Sequence, residues 1–241
     1  VLKTNRAPTP NTYHAHRDRQ RRRILEAAEK LFDERGIGRV TMADITSASG
    51  VRASTTYQYF SNKDDVVWAI VREVLEESTL RAKNSIETAT SGLAKITALL
   101  EFIADELSNY PAKVRFMAQF DAMYARDWPA DRLLTLEAQI NPQGFRYHSK
   151  LIQEGITDGS LRRDLDPDLT MQAVVNAVVG AQRRLASLGN KVELEYGQPI
   201  DRLFRETIRI IVLGLRAAEG PAAEAGPPPR APQIKTRKRS K

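Results

Sequence analysis

TMADITSASGVRASTTYQYFSNKD, residues Thr41–Asp64, decides the fold. Thr41 is a good N-cap, and Asp44 falls in the first turn after it, where a negative charge meets the positive end of a helix dipole. The pattern predicts a short helix over 42–48. Ser49-Gly50 then turns the chain, and a second short helix is expected from about Arg52 to Phe60. Ser61 or Asn62 caps a longer helix with Val66, Val67, Ile70, Val71, Val74 and Leu75 along one side. Upstream, Ile24, Ala27, Ala28, Leu31 and Phe32 recur at i, i+3, i+4, i+7 and i+8, the buried stripe of an amphipathic helix. Gly36 and Gly38 end that helix. An amphipathic helix followed by two short ones across a glycine turn is the layout of a helix-turn-helix unit, whose third helix enters the major groove.

Many three-helix bundles share this layout, so residue types have to carry the argument further. Arg52, Ser54, Thr55, Tyr57, Gln58, Tyr59 and Lys63 crowd hydrogen-bond donors onto one short helix and the residues just past it. Such groups suit phosphates and base edges and are unusual on a helix that is merely solvated. The plainer alternative is that Tyr57 and Tyr59 only cover the small bundle.

Further along, apolar periodicity marks helices through Leu93–Leu107, through Phe116–Tyr124, and from Ala130 to about Ile156. The last of these must bend or break at Asn141-Pro142-Gln143-Gly144, because proline lacks a donor and clashes with the preceding turn. Asp166-Pro167 starts a helix to about Leu188, and a final one is expected from Pro199 to Ala218. No alternating strand pattern occurs. The fold expected is all-α with about nine helices: a flexible basic arm over 1–16, a helix-turn-helix unit over 17–65, a helical body over 66–219, and a disordered basic tail over 220–241.

Several of these stretches together resemble a known family. Ala27-Ala28-Glu29-Lys30-Leu31-Phe32 followed by Gly36, then Thr41-Met42-Ala43-Asp44-Ile45, Gly50-Val51 and Thr55-Thr56-Tyr57-Gln58-Tyr59-Phe60-Ser61-Asn62-Lys63-Asp64, are similar to the DNA-binding domain of the TetR family of one-component repressors. The match covers about residues 20–75 without a gap. Gly155–Leu161 and Asp166-Pro167-Asp168 resemble a turn and helix start in that family's effector domain. The resemblance implies that Thr41 caps the second helix and touches a phosphate. It implies that Arg52, Ala53, Ser54, Thr55 and Gln58 contact bases or nearby backbone, and that Tyr57, Tyr59 and Lys63 hold phosphates. Two positions depart from the family pattern. Ala53 replaces a longer polar side chain, removing one base contact, and Thr56 replaces an aliphatic on the face that also bears Phe60. The implied partners are double-stranded operator DNA, a second copy of the chain and a small-molecule effector, in a regulator acting in the cytoplasm.

Charge is unevenly placed. The 241 residues carry a net +7, yet residues 1–23 hold seven Lys/Arg against one Asp, and 227–241 hold six Lys/Arg and no acid. The body between is therefore mildly acidic, and the basic ends favour polyanions. The absence of cysteine excludes disulfide scaffolds, thiolate zinc sites and cysteine nucleophiles, and is compatible with a reducing cytoplasm. No apolar run reaches the ~18 residues of a membrane span, and no apolar segment of a secretory leader lies in residues 1–23. A catalytic function finds no Gly-rich phosphate loop, no Gly-x-Ser-x-Gly and no His-Glu-x-x-His, so no enzyme and no cofactor are expected. The alternative kept beside a sensing repressor is an architectural DNA-binding dimer that senses nothing.

No metal site is expected. His14 and His16 have ligand spacing but no third ligand nearby, and Asp164, Asp166 and Asp168 lack the glycine and distant glutamate of a calcium loop. The stretch 173–181 is apolar almost all round its helix, with Ala173, Ala177 and Ala181 at i, i+4 and i+8. With Phe204, Ile208, Ile211 and Leu215 at matching spacing on the last helix, it suggests a two-fold four-helix dimer interface. A ligand pocket is expected among Phe102, Phe116, Phe120, Met123 and Tyr124, beside a gap left by the break at 141–144, with Tyr147 and His148 at its lip. The plainer readings are ordinary core for the aromatic stripe and helix packing for His148.

Overall fold

The computed structural model describes residues 10–142 and 145–218. The expected tail over 220–241, the first part of the basic arm and Gln143-Gly144 of the break lie outside the described residues. Among the described residues there are eleven α-helices, one 3-10 turn and no strand, only an isolated bridge between Leu161 and Arg216.

The headpiece comprises α1 (Pro10–Arg35), the 3-10 turn Ile37–Arg39, α2 (Met42–Ser49) and α3 (Ala53–Tyr59), and α4 (Lys63–Ser85) leads out of it. The first helix reaches back to Pro10, so residues 10–16 are helical rather than part of an irregular arm. A proline at the first helical position has its φ already set and lacks only a donor that would be unused there. Asn62 caps α4, its side chain accepting from the N–H of Asp65 at 2.9 Å.

The body holds α5 (Gly92–Asn109), α6 (Pro111–Asp127), α7 (Ala130–Ile140), α8 (Phe145–Thr157), α9 (Pro167–Leu188), α10 (Lys191–Tyr196) and α11 (Ile200–Leu215). The expected break separates α7 from α8. Helix α10 was not expected, and it accounts with that break for the count above nine. Asp166 caps α9 by accepting from Leu169 N at 2.9 Å, the helix start expected there, while Asp164 pairs with Arg162 at 2.6 Å.

Helices α5 and α8 cross at backbone contact. A Cβ built on Gly92 would lie 2.1 Å from Gly155 N, and one on Gly155 would lie 2.5 Å from the Leu161 side chain. The turn after α8 also caps α5: Asp158 accepts from Gly92 N at 2.8 Å, and Ser160 Oγ accepts from Leu93 N at 3.1 Å. The bond from the Ser160 side chain, with those from the Gly92 and Ser160 N–H groups, holds the Asp158 carboxyl below its usual range.

Two apolar clusters organise the chain. One joins the headpiece to α4, α6 and α7; the other joins α5, α8, α9, α10 and α11. The first contains the aromatic stripe expected to line a ligand pocket. Phe116 stacks on Phe32 of α1 at 6.0 Å, while Phe120 meets Trp68 of α4 at 5.1 Å and Trp128 at 5.5 Å. Tyr124 stacks on Phe120 at 5.8 Å, and Met123 packs on the same cluster. Phe116, Phe120, Met123 and Tyr124 therefore pack in a seam between headpiece and body, and Phe116 also lines a cavity of about 270 Å³ with Glu29, Lys30, Ile70, Val74 and Lys113. The break at 141–144 lies after the part of α7 that closes this seam through Leu136.

Phe204, Ile208 and Leu215 also belong elsewhere than expected. All three are buried in the second cluster, within this chain, and Ile211 is partly buried against it. The spacing that marked a buried face was sound, but that face is covered by the chain's own helices. Arg205 fixes α11 against α5 through ion pairs with Glu101 and with Asp105 at 2.8 Å.

Candidate nucleic-acid interface

The capping expected of Thr41 is doubled. Its hydroxyl accepts from Asp44 N at 3.2 Å, and the Asp44 carboxylate accepts from Thr41 N at 2.8 Å, forming a capping box at the start of α2. The Thr41 hydroxyl also donates to Asp44 at 2.5 Å, and these bonds hold the Asp44 carboxyl below its usual range. Thr41 is thus first a structural cap, and a phosphate would have to share its hydroxyl with Asp44.

Gly50 ends α2 with φ +62, a left-handed angle that favours glycine. Arg23 of α1 closes over this turn, donating to Ser49 O at 2.8 Å. Val51 beside it is buried, which fixes where α3 begins. Arg52 is the N-cap of α3, and Arg52, Ala53, Ser54, Tyr57 and Gln58 are exposed, with Thr55 half-buried. Tyr57 is 52% exposed, so it does not serve to cover the bundle. Thr56 is fully buried beneath this surface, and its hydroxyl donates to Arg52 O at 3.3 Å, so the substituted core position leaves no unpaired hydroxyl.

Tyr59 and Lys63 are more engaged. Tyr59 donates its hydroxyl to Gln20 Oε1 at 3.2 Å and lies beneath the Arg17 guanidinium, 6.0 Å from the ring centre. Lys63 Nζ donates to Ile37 O at 2.9 Å. An ammonium has three donors, so two remain for phosphate oxygens. The N–H of the same Ile37 donates to Gln119 Oε1 at 2.8 Å, so α6 of the body grips the headpiece loop from the other side. Gln119 was not expected from the sequence; its one signal is a polar residue beside Phe116, Met117 and Phe120 on an otherwise apolar face.

A surface of exposed donors on a short helix, held across a left-handed glycine turn by a capped partner helix, is suited to entering the major groove. The model of bacterial regulatory proteins of the tetR family matches residues 24–70, which contain this whole unit. Residues 24–70 are thus a DNA-binding domain of the TetR type. Over 166 residues the chain is 28% identical to the transcriptional repressor KstR2 of Mycolicibacterium smegmatis, covering 69% of this chain and 77% of the relative. It is 27% identical over 179 residues to the transcriptional regulator TtgR of Pseudomonas putida, covering 72% and 83%. Among solved structures, the ketosteroid transcriptional regulator KstR2 of Mycobacterium tuberculosis shares the fold with a TM-score of 0.61, at 21% identity, covering 83% of this chain and 96% of that one.

The chain is a DNA-binding transcriptional regulator. Its body has a cavity of about 240 Å³ between α4, α5, α8 and α9, lined by Ser78, Thr79, Ala82, Lys83, Leu99, Phe102, Ile103, His148 and Val175. Phe102 and His148 of the expected pocket residues meet there. Tyr147 packs on the second cluster beside His148, with Lys83 Nζ 5.7 Å from its ring centre. Burial, with the neighbouring charge of Lys83, pushes the His148 imidazole below its usual range, so it is neutral and offers one donor and one acceptor.

The regulator's outer face is apolar where α9 and α11 lie side by side. Ala173 and Ala177 are exposed, Ala181 is half-buried, and a Cβ on Gly180 or Gly214 would meet nothing within 4 Å. On α11 the exposed apolar residues are Ile210 and Leu213, at 59% and 50%, one step round the helix from the buried Phe204, Ile208 and Leu215.

Proposed function

We propose that this regulator is a repressor that dimerises through α9 and α11, reads operator DNA with α3, and is released by a small, largely apolar effector. The cavity beside α4 carries this reading. Its exposed walls are mostly apolar, with Ser78, Thr79, Lys83 and His148 as the placed polar groups. At about 240 Å³ it falls a little below the roughly 300–1,000 Å³ usual for ligand pockets, which fits a single ring system or a short chain.

Helix α4 links this cavity to DNA. Ser78, Thr79, Ala82 and Lys83 face the cavity near its C-terminal end, and Lys63 begins the same helix beside the recognition surface. In a dimer, the two recognition helices must be about 34–36 Å apart to enter successive major grooves. An effector that binds better to a dimer with another spacing lowers DNA affinity by that difference in affinity. The exposed small residues of α9 and the apolar strip of α11 suit a two-fold contact with a second copy, acting in the cytoplasm where the DNA is.

The test uses DNA from upstream of the regulator's own gene. Gln58→Ala is expected to change preference among operator variants by about 1–3 kcal/mol at one position. Ala82→Phe, which fills the cavity, is expected to keep DNA binding and lose both the fluorescence of bound anilinonaphthalene sulfonate and release by active effectors. Normal release with Ala82→Phe would remove this cavity from the mechanism and place the effector site elsewhere, whereas a parent that no effector releases would be better read as a non-sensing architectural dimer.

A further inference from the structure

We infer that the N-terminal turns of α1 form a rigid basic arm that binds the phosphates flanking each operator half-site, held in place by Gln20 against the end of the recognition helix. The inference rests on the DNA-binding reading of α3 and extends its footprint outward.

Three observations carry it. The first helix is continuous from Pro10, while its residues in the headpiece's apolar core begin at Ile24. The turns before Ile24 therefore add little to the apolar core, yet they are ordered as helix. Second, they are strongly basic. Residues 10–23 contain Arg17, Arg19, Arg21, Arg22 and Arg23 against Asp18 alone. Arg21 serves the fold, paired with Glu73 at 2.6 Å and placed over Phe60, and Arg23 closes the α2 turn. Arg17, Arg19 and Arg22 are exposed. Third, the arm is fastened to α3 itself, through Tyr59 to Gln20 at 3.2 Å and through Arg17 over the Tyr59 ring. Tyr59 is the last residue of the recognition helix, so any duplex that α3 enters passes beside the arm.

Reach sets the scale of the test. Ten residues separate Pro10 from Gln20, about 15 Å of helix at 1.5 Å per residue. At 3.4 Å per base pair that is about four to five pairs beyond the point where α3 meets DNA. Arginines there would contribute affinity and salt dependence without sequence preference, since phosphates look alike at every base.

The experiment compares a duplex from the regulator's own promoter, trimmed to the shortest length that binds, with the same duplex carrying six more pairs at each end. The parent is expected to bind the longer duplex about tenfold more tightly at low salt, with a steeper salt dependence. The triple variant Arg17→Gln, Arg19→Gln, Arg22→Gln is expected to bind the trimmed duplex within about twofold of the parent and to lose most of the gain from the flanks. These residues are exposed, so a matching melting temperature shows that folding is intact. Gln20→Ala keeps every charge but removes the hydrogen bond of the two contacts that fasten the arm, and is expected to reduce the flank gain alone. A triple variant that gains as much as the parent, or a parent that gains nothing, overturns the arm as a DNA contact. A Gln20→Ala protein weakened equally on both duplexes overturns its positioning role. A parent that binds no duplex of any length instead defeats the DNA-binding reading itself.

Discussion

Gln119 Oε1 accepts the N–H of Ile37 at 2.8 Å, and the carbonyl of the same Ile37 accepts from Lys63 Nζ at 2.9 Å. One residue of the headpiece loop is thus held by the body through its N–H and by Lys63, at the start of α4, through its carbonyl. Gln119→Ala leaves that part-buried N–H unpaired, at a cost of about 1–3 kcal/mol in stability. Because Lys63 then loses a fixed anchor, DNA affinity should fall for all sequences alike. Binding to a panel of operator variants checks this; a change in preference among them would contradict it.

Gly92→Ala is expected to be severely destabilising. The added carbon would sit 2.1 Å from the backbone of Gly155, and backbone cannot step aside as a side-chain tip can. The cost should reach or exceed the about 1–3 kcal/mol usual for an overpacked core. Gly180→Ala, which meets nothing within 4 Å, is the matched control within one chain. Thermal denaturation of both variants decides whether the crossing is as tight as described.

Exchanging the two faces of the α9–α11 pair separates assembly from folding. Ala177→Glu puts a charge on the exposed face and should yield a folded monomer in sedimentation experiments. Ile208→Ala should instead cost about 2–5 kcal/mol of stability, because Ile208 lies in the chain's own core. A dimer that survives Ala177→Glu would place the contact on another surface.

His148 gives stability a pH dependence whose sign is fixed by its surroundings. Burial and Lys83 depress its folded-state pKa below the ordinary 6.5. As pH falls through about 6.5, the unfolded chain takes up a proton that the folded chain resists, and stability declines until the folded value is passed. His148→Gln should flatten this part of the profile, which chemical denaturation at about pH 7.5 and about pH 5.5 would reveal. Identical slopes for parent and variant would mean that His148 titrates normally.

Capping chemistry made most helix boundaries readable from sequence. Thr41, Asn62 and Asp166 each accept a backbone N–H three residues on, and such bonds depend only on local residue types. Helix α10 escaped because six residues make under two turns. Only Val192 of it is buried, while Leu194 and Tyr196 point outward, so no apolar repeat exists to be read. The aromatic stripe of α6 shows a different limit. Periodicity announces that Phe116 and Phe120 face something, but their partners, Phe32 and Trp68, are supplied by helices far away in sequence. The same limit applies to Phe204 and Ile208, whose spacing serves a subunit core and a subunit interface equally well. The exposed polar face of α3 was more legible, since donors on a short helix need no tertiary partner to be conspicuous.

The seam of Phe32, Trp68, Phe116, Phe120 and Trp128 bears on how far this regulator is modular. Its reading head ends, by sequence, where α4 begins, yet Val66, Val67 and Trp68 just past that point are buried in the head's own apolar cluster. A chimera cut near residue 65 would strand half of that cluster on each parent. Grafting a foreign operator specificity onto this body should succeed only when the head is transplanted with its matching residues on α4 and α6, or when just the exposed positions of α3 are exchanged. The natural unit of exchange is the recognition surface, not the domain.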